Sequence, residues 1–74
     1  MDAKNSLREG FVQFYLADRA YGYIRDKNTK EEFYVQQKHL LDAIKKGDHV
    51  QFGVEENNQG LYATQVRIVK EASL

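Results

Sequence analysis

The short extended segments of this chain constrain its fold most strongly. β-Branched and aromatic residues concentrate in short runs, as they do in β-strands. The runs are residues 11–16, 21–25, 32–36, 48–55 and 61–69. Turn-forming residues separate several of them, for example Asn-Asn-Gln-Gly at residues 57–60. Strands this short give a compact core when their sheet closes on itself, because closure removes exposed edges. The pattern therefore predicts an all-β barrel.

One segment interrupts the strand pattern. Within residues 37–46, Leu40, Leu41 and Ile44 fall at helical spacing, and Lys-Lys-Gly at residues 45–47 is typical of a helix end. We therefore expect one or two helical turns between strands 3 and 4. The combined pattern predicts a five-stranded antiparallel barrel of the oligonucleotide/oligosaccharide-binding type, the OB-fold. A Tudor-like sheet barrel is the architectural alternative, although it usually has no helical stretch at that point.

Length and composition indicate one small domain. The chain has 74 residues and no Cys, so it is near the lower size limit for a single core and has no disulfide to stabilise it. No apolar run approaches the roughly 20 residues needed to cross a bilayer, and no secretory signal is visible, so we expect a cytoplasmic protein. We predict a flexible arm at residues 1–8, the domain at residues 9–69 and a tail at residues 70–74.

The charge balance bears on the kind of nucleic acid that such a barrel could bind. Eleven basic and eleven acidic residues give a net charge of +0. This disfavours a duplex-DNA binder that depends on neutralising phosphates. Binding of single strands by base stacking is compatible with it.

No set of residues indicates a catalytic site. His39 and His49 lack metal-ligand spacing, and we expect them on the surface. The pairs at residues 31–32 and 55–56 are adjacent glutamates, whose side chains point to opposite faces of a strand. The glycines are scattered and form no phosphate-binding loop. We predict a protein that is not an enzyme, with no cofactor, metal or small-molecule substrate.

The aromatic residues are the candidate binding groups. Phe11, Phe33 and Phe52 suit the inner face of a barrel, whereas Tyr15 and Tyr62 fit either face. The remaining rings are Phe14, Tyr21, Tyr23 and Tyr34. A single tyrosine often packs half-buried across strands. Four rings on adjacent strands, with Arg19, Arg25 and Lys27 nearby, instead favour a binding surface, because exposed rings stack on unpaired bases.

Motifs in chain order also resemble a known family. Residues 10–15 read Gly-Phe-Val-Gln-Phe-Tyr, residues 19–24 Arg-Ala-Tyr-Gly-Tyr-Ile, and residues 33–36 Phe-Tyr-Val-Gln. They resemble the runs Gly-x-Val-Lys-Trp-Phe, Lys-Gly-Phe-Gly-Phe-Ile and Val-Phe-Val-His of bacterial cold shock domains. Residues 46–52, Lys-Gly-Asp-His-Val-Gln-Phe, are similar to that family's Glu-Gly-Gln-x-Val-x-Phe strand. Residues 60–66, Gly-Leu-Tyr-Ala-Thr-Gln-Val, are similar to its Gly-Pro-Gln-Ala-x-x-Val ending.

The resemblance covers roughly residues 9–69 and implies a function. Cold shock domains are OB-fold barrels that bind single-stranded RNA and DNA on a sheet face, and many act as RNA chaperones. By resemblance, the base-stacking residues are Phe14, Tyr21, Tyr23 and Tyr34. Arg19 matches a basic residue beside the nucleic acid backbone, and the predicted binding set also includes Gln13, Gln36 and Tyr62.

The chain departs from the family pattern at several of these positions. Gln36 replaces a stacking His, Gln37 replaces the aromatic that follows it, Gln13 replaces a Lys and Phe14 replaces the Trp. Glutamine can hydrogen-bond base edges but offers no ring for stacking. We therefore expect a shorter stacking surface than the family's usual one.

The sequence thus predicts a monomeric module that binds single-stranded nucleic acid, preferring RNA but also binding DNA, with an RNA chaperone role and no membrane association. Two alternatives remain open. The tyrosine-rich face could dock a protein partner, since exposed aromatics also mark protein interfaces. The chain could instead be another RNA-binding domain of the OB type.

Overall fold

Each predicted run forms a strand in the computed structural model, which describes residues 7–70. The elements are β1 (Arg8–Leu16), β2 (Tyr21–Asp26), β3 (Glu32–Gln36), a 3-10 turn (Gln37–His39), β4 (His49–Asn57) and β5 (Gly60–Ile68). The predicted arm and tail fall largely on residues 1–6 and 71–74, which lie outside the described residues. Within residues 7–70, no helix is long and apolar enough to cross a membrane.

The strands close into a barrel in the order β1-β2-β3-β5-β4. Most neighbours are antiparallel, but β3 and β5 run parallel, with Tyr34 paired to Tyr62. The predicted five-stranded barrel is confirmed, with the correction that its strand pairing is mixed and not strictly antiparallel. Directions cannot alternate all the way around a closed ring with an odd number of strands, so one neighbouring pair must be parallel.

The segment between β3 and β4 is less helical than its apolar spacing predicts. Only Gln37–His39 is helical, as a single 3-10 turn. The backbone is already extended at Leu40, which bridges to Val66 of β5, and the Leu41 N–H donates to the Val66 carbonyl at 2.7 Å. These bonds to β5 replace the ones that a continuing helix would make. Ile44 is buried, whereas Leu41 is 55% exposed.

One apolar core fills the barrel. Its buried members are Val12, Ile24, Phe33, Val35, Ile44, Val50, Phe52, Ala63 and Val66. The prediction for Phe33 and Phe52 is confirmed, and their ring centroids lie 5.8 Å apart. Phe11, by contrast, is 44% exposed and stacks on His49 at 4.9 Å. Because Val12 points inward, its neighbour Phe11 must point outward.

Candidate nucleic-acid interface

A bulge in β1 determines where Phe14 points. Val12 pairs with Ile24 and Phe14 pairs with Tyr23, so Gln13 is an extra residue between the two pairs. In a regular strand, residues 12 and 14 would share one face. Here Val12 is buried and Phe14 is 36% exposed. The bulge therefore turns the Phe14 ring outward onto the face that carries Tyr23.

Four rings form a continuous cluster on the outer surface of β1, β2 and β3. We call this cluster, Phe14, Tyr21, Tyr23 and Tyr34, the aromatic face. The Phe14 centroid lies 6.2 Å from Tyr21 and 5.6 Å from Tyr23, and Tyr34 lies 5.7 Å from each of these tyrosines. Such spacings are those of interacting rings. All four rings keep part of their surface accessible, so the face can accept further flat groups.

Gly22 permits the close approach of β1 and β2 beneath these rings. A Cβ at this position would collide with the Phe14 carbonyl oxygen and would crowd the Tyr15 Cα. Only glycine avoids this overlap with the β1 backbone. Gly22 therefore lets β1 and β2 approach closely enough for the rings of Tyr21 and Tyr23 to contact the Phe14 ring.

Arg19 supplies a cation next to this face. It lies in the turn between β1 and β2, where the N–H groups of Arg19 and Ala20 donate to the Leu16 carbonyl at 3.0 and 2.7 Å. Its side chain is exposed and forms no ion pair with any residue of the 7–70 range. Arg19 thus precedes Tyr21 by two residues and is an exposed, unpaired guanidinium within that range.

The other two nearby cations are already paired. Arg25 contacts Glu32 at 2.8 Å, and Lys27 contacts Glu9 at 3.0 Å. The hydrogen bond and the charge of Lys27 outweigh the effect of desolvation and, with smaller contributions from His49, hold the pKa of Glu9 below its usual value. Arg25 and Lys27 are therefore each held by a neighbouring carboxylate. Within residues 7–70, Arg19 and Lys30 are the basic residues of the first half of the chain that form no ion pair.

The remaining predicted residues border the aromatic face. Gln36 pairs with Tyr21 across β2 and β3, and Tyr62 pairs with Tyr34 across β3 and β5, so both side chains share the outer face. Gln13 occupies the bulge itself and is half-buried. The structure thus brings the predicted rings together, with an amide and a fifth ring on the β3–β5 side.

His39 contacts Tyr62, and the sequence does not indicate this contact. Its ring lies 5.1 Å from Tyr62, at an interplanar angle of 37°. With Lys38 and Gln59 it borders a cleft of about 420 Å³ that also reaches Tyr34. No pattern in the sequence marks His39, because the 3-10 turn and the parallel β3–β5 pairing together bring it to Tyr62.

No metal centre competes with this surface in the part of the chain that the structure describes. There, no group of three or more His, Cys, Asp or Glu side chains could hold a metal ion.

Comparisons with known proteins agree with this architecture. The model of the family described as the 'Cold-shock' DNA-binding domain matches residues 8–69. A "Cold shock-like protein" of Aquifex aeolicus (strain VF5) is 30% identical over 66 residues, which are 84% of this chain and 94% of the relative.

The solved structure of Drosophila Unr CSD456 is also similar, with a TM-score of 0.75 at 18% identity. The match covers 93% of this chain but only 29% of that longer one, and at this identity it shows the fold alone. The match to the family model over residues 8–69 is the finding that assigns the chain to a family. It belongs to the 'Cold-shock' DNA-binding domain family, whose members are nucleic-acid-binding, non-enzymatic domains.

Proposed function

We propose that this protein binds single-stranded nucleic acid by stacking unpaired bases on the aromatic face, that RNA is its preferred ligand, and that it acts as a cytoplasmic monomer. The observation that carries the proposal is the ring continuity across three strands, with neighbouring centroids from 5.6 to 6.2 Å apart. Base–aromatic stacking tolerates any sequence, because every base has a π-face.

The charge distribution supports stacking as the main source of affinity. The net charge is +0, and Arg25 and Lys27 are held by acidic partners. Arg19, in the turn that leads into Tyr21, forms no ion pair within residues 7–70. The proposal therefore includes a shallow salt dependence, because each phosphate neutralised on a single strand contributes a slope of only about −0.7.

The preference for single strands follows from access to the base faces. Inside a duplex those faces are covered by neighbouring bases, whereas an unpaired base can lie flat on a tyrosine. A protein that binds the unpaired form shifts the equilibrium away from hairpins by mass action. An RNA chaperone role is therefore part of the proposal.

The preference for RNA is assigned to the amides beside the rings. Gln13 and Gln36 lie next to the aromatic face, and an amide can both donate to and accept from a ribose 2′-hydroxyl. Deoxyribose offers no such group.

A direct titration tests the proposal. Oligouridine and oligothymidine of about eight nucleotides, within the footprint of one such barrel, are compared with a duplex of equal length. The chain has five Tyr and no Trp, so intrinsic fluorescence reports on tyrosines. We expect quenching by both single strands, tighter binding of RNA and little duplex binding. Unchanged amide signals across residues 14–36 at high micromolar strand would contradict the proposal.

The competing proposal is that the aromatic face docks a second protein chain. Its specific support is Leu16, which pairs with Tyr21 and adds an apolar group that is 38% exposed. Size-exclusion chromatography at two concentrations separates the two proposals. A dimer that buries the rings would not bind oligouridine there.

A further inference from the structure

The cleft beside Tyr62 continues the aromatic face, with which it shares Tyr23 and Tyr34. It encloses about 420 Å³, within the range of roughly 300–1,000 Å³ that is typical of ligand sites. The lining groups that matter here are Tyr34, Gln36, Lys38, His39, Gln59 and Tyr62. The cleft therefore combines rings, neutral amides and one ammonium group.

Its aromatic wall comes from residues distant in sequence. Tyr34 and Tyr62 are direct partners in the parallel β3–β5 pairing, and His39 lies 5.1 Å from Tyr62. The Tyr62 hydroxyl donates to Glu55 Oε1 at 3.4 Å, which favours one orientation of the ring. A flat group entering the cleft would therefore meet ring surface beyond the aromatic face.

The polar groups of the cleft include neutral amides that suit the edge of a base and one ammonium group that suits a phosphate. Across residues 7–70, the side-chain amides of Gln36 and Gln59 form no hydrogen bond, and Lys38 forms no ion pair. Glu55 adds a negative charge at the Tyr62 hydroxyl, which disfavours an anion against that wall. Free amides beside rings can instead bond the edge of a stacked base.

We propose that this cleft is a recognition subsite for one adenine of the bound strand, an inference that rests on the proposed function. The base stacks against Tyr34 and Tyr62, and a glutamine amide reads its edge. Adenine is chosen because a Gln amide bonds its N6 and N7 together. Lys38 would face the phosphate of the same nucleotide.

The test uses octauridine and a series in which a single adenine replaces each uridine in turn, with affinity measured by fluorescence anisotropy. We expect one position at which adenine tightens binding by about fivefold or more. In the double variant Gln36→Ala, Gln59→Ala, the adenine-to-uridine affinity ratio at that position should approach one. Tyr62→Gln should lower both that ratio and the overall affinity.

Phe11→Ala is the matched control, because Phe11 is an exposed ring stacked on His49 and does not line the cleft. It should keep the adenine-to-uridine ratio. A parallel guanine series should show a smaller gain than adenine. Thermal melting checks that each variant folds. If Tyr62→Gln does not fold, the double variant Gln36→Ala, Gln59→Ala decides the result.

The outcomes separate this inference from the proposed function. If octauridine binds but no adenine position is favoured, or guanine is favoured over adenine, only the subsite assignment is overturned. The same holds if the preference survives loss of both amides. If no single strand binds at all, both proposals fail.

Discussion

The ring of Phe14 on β1 lies 5.6 Å from the ring of Tyr23 on β2, in a contact that depends on the extra residue Gln13. Without the bulge, Phe14 would share a face with the buried Val12 and its ring would point into the barrel. One backbone irregularity therefore adds a fourth ring to three tyrosines that the strand alternation already places outward. The predictions below address the surface that results.

Removing the Tyr34 ring from the aromatic face should weaken binding without unfolding the barrel. Tyr34 contacts both Tyr21 and Tyr23 at 5.7 Å. Loss of one stacking platform costs about 1–3 kcal/mol per base, so Tyr34→Ala should raise the Kd for oligouridine roughly 5- to 150-fold. Anisotropy titration measures this change. Phe11→Ala removes an exposed ring elsewhere and should have little effect; equal losses in the two variants would show that the aromatic face is not the binding surface.

The contribution of Arg19 can be isolated by salt dependence. If this guanidinium neutralises one phosphate, Arg19→Ala should reduce the slope of log K against log salt by about 0.7. Arg67 is the matched control, because it is also exposed but lies on β5 opposite Gln51 of β4. Arg67→Ala should leave the slope unchanged. An identical slope in wild type and Arg19→Ala would remove Arg19 from the interface.

Ala20 occupies a backbone conformation that favours glycine. Its φ is 63°, and a non-glycine residue there costs about 1–2 kcal/mol. Ala20→Gly should raise the free energy of unfolding by about 0.5–1 kcal/mol after the entropy cost of glycine, and the Tm by several degrees. Ala17, in the same turn, has no positive φ. Ala17→Gly should therefore not stabilise, and thermal melting of both variants checks the difference.

Asp26 should make stability depend on acid pH. Burial raises the pKa of this carboxyl, but the N–H groups of Thr29 and Asn28 and the Arg8 guanidinium outweigh it, so the net pKa is below its usual value. Oδ1 accepts those N–H groups at 3.0 and 2.7 Å, and Oδ2 lies 3.2 Å from Arg8. The resulting stabilisation is fully present above the unfolded pKa of about 3.9 and is lost as pH falls through the folded value.

The comparison variant is Asp26→Asn. At neutral pH it should be less stable than wild type by about 1–2 kcal/mol, because the charged acceptor is lost. Between about pH 5 and pH 2 its Tm should fall less steeply than that of wild type. Glu9, whose pKa is also lowered, is common to both proteins and cancels in the comparison. If the Tm of both proteins falls equally with pH, the Asp26 carboxylate is not the source of the stability that is lost in acid.

Strands and core were predictable because their signal is local. The alternation of Val50 and Phe52 identifies β4 and its buried face, and both side chains are fully buried. The motif resemblance located the rings of the candidate site. The bulge at Gln13 was not predictable, since it depends on how β1 pairs with β2. The extended backbone after His39 depends likewise on the bond from Leu41 to Val66, a partner far along the chain.

The parallel pairing of β3 and β5 has a consequence for how ligand and fold affect each other. Its register is the shortest in the barrel, a single pair of Tyr34 with Tyr62, against long registers at the other strand pairs. Both residues also lie where we propose that bases stack. A nucleic-acid strand bound to both Tyr34 and Tyr62 would bridge β3 and β5. It would thereby stabilise the closed barrel at its least extensively paired strand boundary. Occupancy and closure would then be coupled, and each would strengthen the other by the same free energy.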